Sequence, residues 1–296
     1  MNRKALLVVA ALALFMGGCS LKKTVINSTA LFMDDLVDSF FQENDLEFAE
    51  TAIPGNLKLL DGLIKGAEGG NEGLLIKGCK LYGMYAMGFL EDTGVDRKDE
   101  RKRTQRASNF YKRARDYGME VLKKRPDFKN SLDKSTDEFL PSLQAFGKDD
   151  LESLFWTSFA WGEYINLNRH NIRAVADLPK VKAMMERVIA LDDTYFYGLP
   201  RLFMIVYYSM PPMFGGDPVK AKAEYDRVKE ISGDKFILTD FFMAKYYAVQ
   251  VQDREMFDYL LDKIENAEDD VIPEKMFTKI AKKKAEFIGK KAGDLF

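Results

Sequence analysis

Arg187-Val188-Ile189-Ala190-Leu191-Asp192-Asp193-Thr194-Tyr195-Phe196 aligns position for position with Arg227-Val228-Lys229-Glu230-Ile231-Ser232-Gly233-Asp234-Lys235-Phe236, at an offset of 40 residues. Each copy reads as a helix end, a turn, and an aromatic residue that opens the next helix. A further copy, Leu261-Asp262-Lys263-Ile264-Glu265-Asn266-Ala267, follows at an offset of 33. Earlier ones are Val121-Leu122-Lys123-Lys124-Arg125-Pro126-Asp127-Phe128 and Leu63-Ile64-Lys65-Gly66-Ala67. Periods near 34 residues with a helix pair in each unit suggest tetratricopeptide-type repeats. Elsewhere apolar residues recur at i, i+3, i+4 and i+7, strand-like alternation is scarce, and there are only nine prolines. The expected fold is all-α, a solenoid of stacked helix pairs. Such a pair cannot bury both faces alone, so its inner helices line a concave or enclosed surface.

The longer period has a visible cause. Met210-Pro211-Pro212-Met213-Phe214-Gly215-Gly216-Asp217-Pro218 interrupts a helix pair with residues that cannot continue a helix, and reads as a protruding loop. Asp217 and Pro218 restart the next helix with an acidic cap and a first-turn proline. Pro126, Pro141 and Pro273 mark other boundaries, and Pro200 either opens its helix or kinks it.

The N-terminus gives an address. Arg3 and Lys4 form a charged region, Ala5 to Phe15 is unbroken apolar sequence, and Met16-Gly17-Gly18-Cys19 has the small residues that a lipoprotein signal peptidase needs. The apolar stretch is too short to span a bilayer. Residues 1–18 are therefore expected to be a lipoprotein signal peptide, 19–30 a short tether beginning at lipidated Cys19, and 31–296 one all-α repeat domain. Acyl chains on Cys19 would anchor the mature protein at about 0.8 kcal/mol per buried CH₂.

Composition narrows the function. Cleavage removes Arg3 and Lys4 and no acid, leaving 42 basic and 46 acidic residues, so nothing draws the chain to nucleic acid. Cys79 has no intramolecular partner once Cys19 is acylated, and reads as a small buried hydrophobe. A single histidine, His170, makes the common zinc sites and Cys-His pairs impossible within one chain. Gly147-Lys148 and Gly289-Lys290 lack the upstream glycine of a phosphate-binding loop. No enzyme, metal or cofactor is expected. The nine basic residues between Arg97 and Arg115, and the run Lys282 to Lys284, read as solvated helix faces.

Aromatic surface is what remains unusual. Leu151 to Leu167 carries Phe155, Trp156, Phe159, Trp161, Tyr164 and Ile165, with apolar groups around most of the helix, so it is sandwiched between neighbours. Gly162 would let another element approach closely. Tyr195 to Tyr208 and Phe241 to Tyr247 are similarly rich. Core packing accounts for such residues, and a cleft for an amphipathic ligand would use the same side chains. Candidate ligand- or partner-binding residues are Phe155, Trp156, Phe159, Trp161, Tyr164, Tyr207 and Phe214.

The lipobox cysteine, Glu50 to Leu60 (Glu-Thr-Ala-Ile-Pro-Gly-Asn-Leu-Lys-Leu-Leu), Phe155 to Gly162 (Phe-Trp-Thr-Ser-Phe-Ala-Trp-Gly) and Phe214-Gly215-Gly216-Asp217 together resemble one family. It is that of the T-component lipoproteins of tetratricopeptide-repeat-associated tripartite ATP-independent periplasmic (TRAP) transporters. The likeness runs from Cys19 to about Ile288. It implies an all-α, non-enzymatic lipoprotein facing the periplasm, assembled as a homotrimer, docking the solute-binding P-component and helping to transfer an apolar or amphipathic ligand. Ser20 after the cysteine favours the outer membrane in a diderm host. The competing reading, a repeat scaffold in outer-membrane assembly or envelope organisation, shares the anchor and the concave surface but needs no ligand.

Overall fold

The computed structural model describes residues 29, 32–94 and 96–296, so the export signal and Cys19 lie outside the described residues. Helices and turns make up the described chain, with no strand among them. In order the helices are α1 (32–42), α2 (Leu46–Gly66), α3 (Glu72–Tyr85), α4 (Arg97–Leu122), α5 (Pro126–Ser131), α6 (Thr136–Phe139), α7 (Leu151–Leu167) and α8 (Ile172–Ala176). There follow α9 (Leu178–Leu191), α10 (Tyr195–Tyr208), α11 (Pro218–Ser232), α12 (Leu238–Phe242), α13 (Val249–Val251), α14 (Arg254–Glu265), α15 (Lys275–Gly289) and α16 (Ala292–Leu295). Two wider π turns extend this set: Ala86–Leu90 continues α3, and Met243–Ala248 joins α12 to α13.

Local chemistry sets the helix starts. Asp45, Asn71, Asp96, Asn171, Asp217 and Asp253 each accept a backbone N–H of the first turn of α2, α3, α4, α8, α11 and α14. Each such cap is worth about 1 kcal/mol because it satisfies a donor that the helix itself cannot. Elements then pack on near neighbours in sequence: α3 on α4, α4 on α7, α7 on α9, α10 on α11, α14 on α15. The last long helix also returns to the first part of the chain, since α15 touches α2 and the π turn after α3. Ion pairs from Lys283 to Glu50 (3.2 Å) and from Lys291 to Glu100 (2.6 Å) flank that contact.

Helix α7 runs through the core, and every residue from Ser153 to Glu163 is buried. It approaches α4 so closely that a Cβ on Gly118 would lie 2.0 Å from Thr157 Oγ1. Cys79 is fully buried and free, and burial pushes its thiol far up, so it behaves as a small apolar side chain.

An aromatic hub joins the first helix to the C-terminal half. The Phe277 ring lies 5.4 Å from Phe41, 5.3 Å from Phe196 and 5.8 Å from Phe236. Phe196 and Phe236 are the equivalent last positions of the two aligned sequence copies, and their rings face each other edge to face at 6.3 Å. The repeat thus places like residues in one cluster. Phe196, Tyr197 and Gly198 all take left-handed backbone, with φ of 44°, 58° and 79°. Such a conformation costs a non-glycine residue roughly 1–2 kcal/mol, offset here by partial burial of Phe196 against the hub and by the Tyr197 hydroxyl donating to Glu274 Oε2 at 2.9 Å. Regular helix therefore begins at Leu199, and Pro200 sits in its first turn, where a missing N–H is harmless.

One expectation about charge is corrected. Lys284 does not belong to a solvated face: it is only 2% exposed, while Lys282 and Lys283 pair with Asp269 and Glu50. A solvated-face reading fails at Lys284 because α15 packs on the first half of the chain through that residue.

Candidate functional site

Where α7 passes α10, the two helices leave a cavity of about 180 Å³. Gly162, Glu163, Ile165 and Asn166 on α7, with Arg169 just beyond its end, form one wall. Phe203, Val206 and Tyr207 on α10, followed by Met210, Pro211 and Phe214 of the connecting loop, form the other. Val175 of α8 and Leu178 of α9 complete the lining. Gly162 is needed here, since a Cβ would stand 2.5 Å from Phe203 Cε2.

The loop that carries Phe214 is shaped by its glycines. Gly215 has φ of 93°, which disfavours any side chain, and a Cβ on Gly216 would fall 1.5 Å from the Met210 carbonyl oxygen. Asp217 then closes the loop by donating its N–H to Tyr208 O (2.8 Å), and its carboxylate caps α11. The Gly-Gly-Asp motif is thus the device that folds the interruption back onto α10. Near these lining residues in sequence, large apolar side chains face solvent: Ile172 is 85% exposed on the helix that also provides Val175, and Met213, beside Phe214, is 82% exposed.

Polar groups line one side of the cavity in series. Arg169 donates to Asn166 Oδ1, and Asn166 Nδ2 donates to Glu163 Oε2 (3.1 Å) and to the Tyr246 hydroxyl (3.1 Å). Glu163 is 6% exposed. Burial raises its pKa, against the opposing pull of the Asn166 hydrogen bond and the nearby cations.

Behind this series lies a partly buried charge cluster. Asp92 accepts from Lys245 Nζ at 2.7 Å and stands 3.4 Å from Lys284 Nζ, which itself donates to the Glu91 carbonyl at 2.7 Å. The Tyr111 hydroxyl donates to Glu91 Oε1. Burial, then the charge of Glu163, pushes Glu91 up to about 7. Asp92 moves the other way: burial pushes it up, but Lys245 and Lys284 outweigh that and hold it well below the carboxylate range. Burial pulls the Lys245 pKa down, but Asp92 outweighs that and holds it well above the ordinary lysine value. A second cavity of about 190 Å³ adjoins the cluster, lined by Asp92, Lys245, Tyr246 and, on its shared wall with the first cavity, Asn166.

The candidates read from sequence fall in three places. Tyr207 and Phe214 line the apolar cavity. Phe155, Trp156 and Phe159 pack together around a neighbouring void of about 20 Å³, room for no more than one water. Trp161 is buried, and Tyr164 is half-buried under the Arg115 guanidinium at 5.2 Å. Sequence reasoning did not single out Phe203, Val206, Arg169 or the charge cluster. Glu163 carried a signal, as an acid on a helix otherwise apolar nearly all round.

Fold and site together define an all-α protein with an apolar cavity between two helices, one side of which is a polar wall. A family model described as the TRAP transporter T-component matches residues 42–296, and the chain belongs to that family. No curated protein matches the chain. Membership makes it an accessory component of an envelope transport system, and among the described residues no helix is long and apolar enough to cross a membrane.

Proposed function

We propose that this chain is a lipid-anchored, periplasm-facing subunit that docks the solute-binding P-component of its transporter and assists transfer of an apolar or amphipathic ligand, without a catalytic step of its own. Attachment through Cys19 and assembly as a homotrimer belong to the same proposal. The observation that carries it is the apolar cavity between α7 and α10, with exposed Ile172 and Met213 close in sequence to its lining residues Val175 and Phe214. Side chains of that size each gain roughly 1.5–3 kcal/mol when a partner buries them, which suits a docking rim around a transfer site.

A pull-down from detergent-solubilised envelope with the full-length protein as bait tests this. The expected result is near-stoichiometric recovery of a solute-binding protein, lost when Ile172→Asp and Met213→Asp are combined. Recovery that ignores both substitutions moves the docking surface elsewhere. Recovery of outer-membrane assembly proteins alone replaces the transfer reading with the scaffold one.

A further inference from the structure

Helix α4 carries nine basic residues between Arg97 and Arg115, and three of them have acidic partners. Arg103 pairs with Glu50 and Asp99, Arg113 with Asp61, and Arg115 with Asp116. Arg97, Lys98, Arg101, Lys102, Arg106 and Lys112 are exposed and form no ion pair among the described residues. At about 3.6 residues per turn, Lys98, Arg101, Lys102, Gln105, Asn109 and Lys112 fall on one side of the helix, opposite buried Ala107, Tyr111 and Ala114. This face is about 21 Å long. No acid interrupts it, because Asp99 and Glu100 lie off it, toward Arg103 and Lys291. A solvated helix gains from opposite charges at i, i+4, yet Arg97 and Arg101, Lys98 and Lys102, and Lys102 and Arg106 are like-charged pairs at that spacing, which repel. An anionic surface against the face would offset that repulsion.

We propose that the face of α4 from Lys98 to Lys112 docks on anionic phospholipid headgroups of the membrane that holds Cys19, laying the helix along the bilayer surface. This rests on the lipid-anchor reading of Cys19. Two observations favour lipid over an acidic protein. The face has no exposed apolar or aromatic side chain, since Phe110 is half-buried beneath the Arg106 guanidinium at 5.5 Å. Protein interfaces are built around such anchors and are depleted in lysine, whereas clustered Lys and Arg alone suffice for attraction to headgroup phosphates. The chain also enters the fold beside this helix: Met33 shares an apolar cluster with Tyr117 and Val121, just past Lys112. The 13 peptide steps from Cys19 to Phe32 reach at most about 45 Å, and α4 is about 39 Å long, so a bilayer holding Cys19 can meet any part of it.

The test reconstitutes the full-length acylated protein into vesicles of phosphatidylcholine alone, or with about one-third phosphatidylglycerol, and follows lysine labelling by an amine reagent with mass spectrometry. Lys98, Lys102 and Lys112 report on the face, and Lys129 and Lys235, exposed elsewhere, are references. At about 50 mM salt the three should label about threefold more slowly with phosphatidylglycerol than without it, the references should not change, and about 0.5 M salt should remove the difference. Arg97→Glu combined with Arg101→Glu reverses two exposed, unpaired charges, keeps the reporter lysines, and should abolish the protection. Equal labelling in both vesicles overturns the proposal, as does protection that survives the two reversals. Protection that appears only when the solute-binding protein is added replaces lipid with an acidic protein surface. Flotation reads the anchor separately. Protein that floats only with phosphatidylglycerol vesicles loses the anchor and keeps the docking face, and protein that floats with neither overturns both.

Discussion

Lys245 Nζ stands 2.7 Å from Asp92 Oδ2, and the two residues lie in or beside different π turns far apart in the sequence. Lys245 lies within the turn Met243–Ala248, and Asp92 follows the turn Ala86–Leu90 by two residues. The wider turns break the regular helical register just where the charged side chains must meet, the usual place for such irregularities. With Lys284 of α15 also on Asp92, one carboxylate ties three distant parts of the chain together.

Replacing Asp92 isolates that charge. Its φ is 53°, and asparagine tolerates left-handed backbone about as well as aspartate does, so Asp92→Asn alters charge with little change in shape or backbone preference. Buried Lys284 and partly buried Lys245 would then lack their shared partner. Removing one member of a buried ion pair costs about 3–5 kcal/mol. Urea unfolding at pH 7 should show a loss in that range, and a loss below about 1 kcal/mol would mean that water already reaches the lysines.

Glu91 gives the pH dependence its sign. Its folded pKa of about 7 lies above the ordinary carboxyl value of 4.5, so the folded state holds the proton more tightly than the unfolded chain. The stability this provides is complete below pH 4.5 and disappears as pH rises through 7. Asp92, held low by its lysines, acts oppositely and weakens the fold only in acid below its ordinary value. Glu91→Gln retains an acceptor for the Tyr111 hydroxyl and abolishes titration, so it should flatten the decline between about pH 5 and pH 7 in thermal melts. An unchanged slope would mean that Glu91 does not carry that titration.

The contact between α4 and α7 depends on a missing Cβ. Gly118→Ala would put a methyl group 2.0 Å from Thr157 Oγ1, a fully buried atom whose helix is enclosed on all sides. Overpacking of this kind typically costs about 1–3 kcal/mol. Thr157→Ala removes the obstructing hydroxyl, so the double variant should recover part of the loss. A double-mutant cycle showing simple additivity would place the strain somewhere other than this contact.

Helical periodicity and the aligned copies made the all-α class legible, because burial on one face leaves a mark every three or four residues. The Gly-Gly-Asp loop was legible as an interruption, and Asp217 and Pro218 as the start of α11. Left-handed Phe196 and Tyr197 were not, since aromatic residues rarely adopt that conformation and it is contacts distant in sequence, the hub around Phe277 and the Tyr197–Glu274 hydrogen bond, that stabilise it there. The charge cluster was equally hidden. Glu91, Tyr111, Lys245 and Lys284 lie far apart in sequence, and buried lysines look like surface ones until the return of α15 is known. Aromatic content marked α7 and α10 correctly as unusual, yet only the packing separates Tyr207 at the cavity from Trp161 in the core.

Cavity volume itself can be tuned from behind. Gly162 supports the Phe203 ring from α7, and a methyl group added there would lie 2.5 Å from Cε2, which leaves the ring only one way to move, off α7. Phe203 lines the cavity, so Gly162→Ala should push that ring into space an alkyl chain would use. Affinity for an alkyl probe such as 2-nonanone should fall by about tenfold, while the melting temperature changes little because the ring has a cavity to enter. Adding Phe203→Ala removes the displaced ring and should restore or exceed the original affinity, at a stability cost of about 3–5 kcal/mol if the enlarged space stays empty. Ligand should return part of that cost in proportion to its occupancy. The opposite pattern, in which Gly162→Ala lowers stability and leaves probe affinity untouched, would show that the ring turns within the core and that ligand binds away from the α7–α10 cavity.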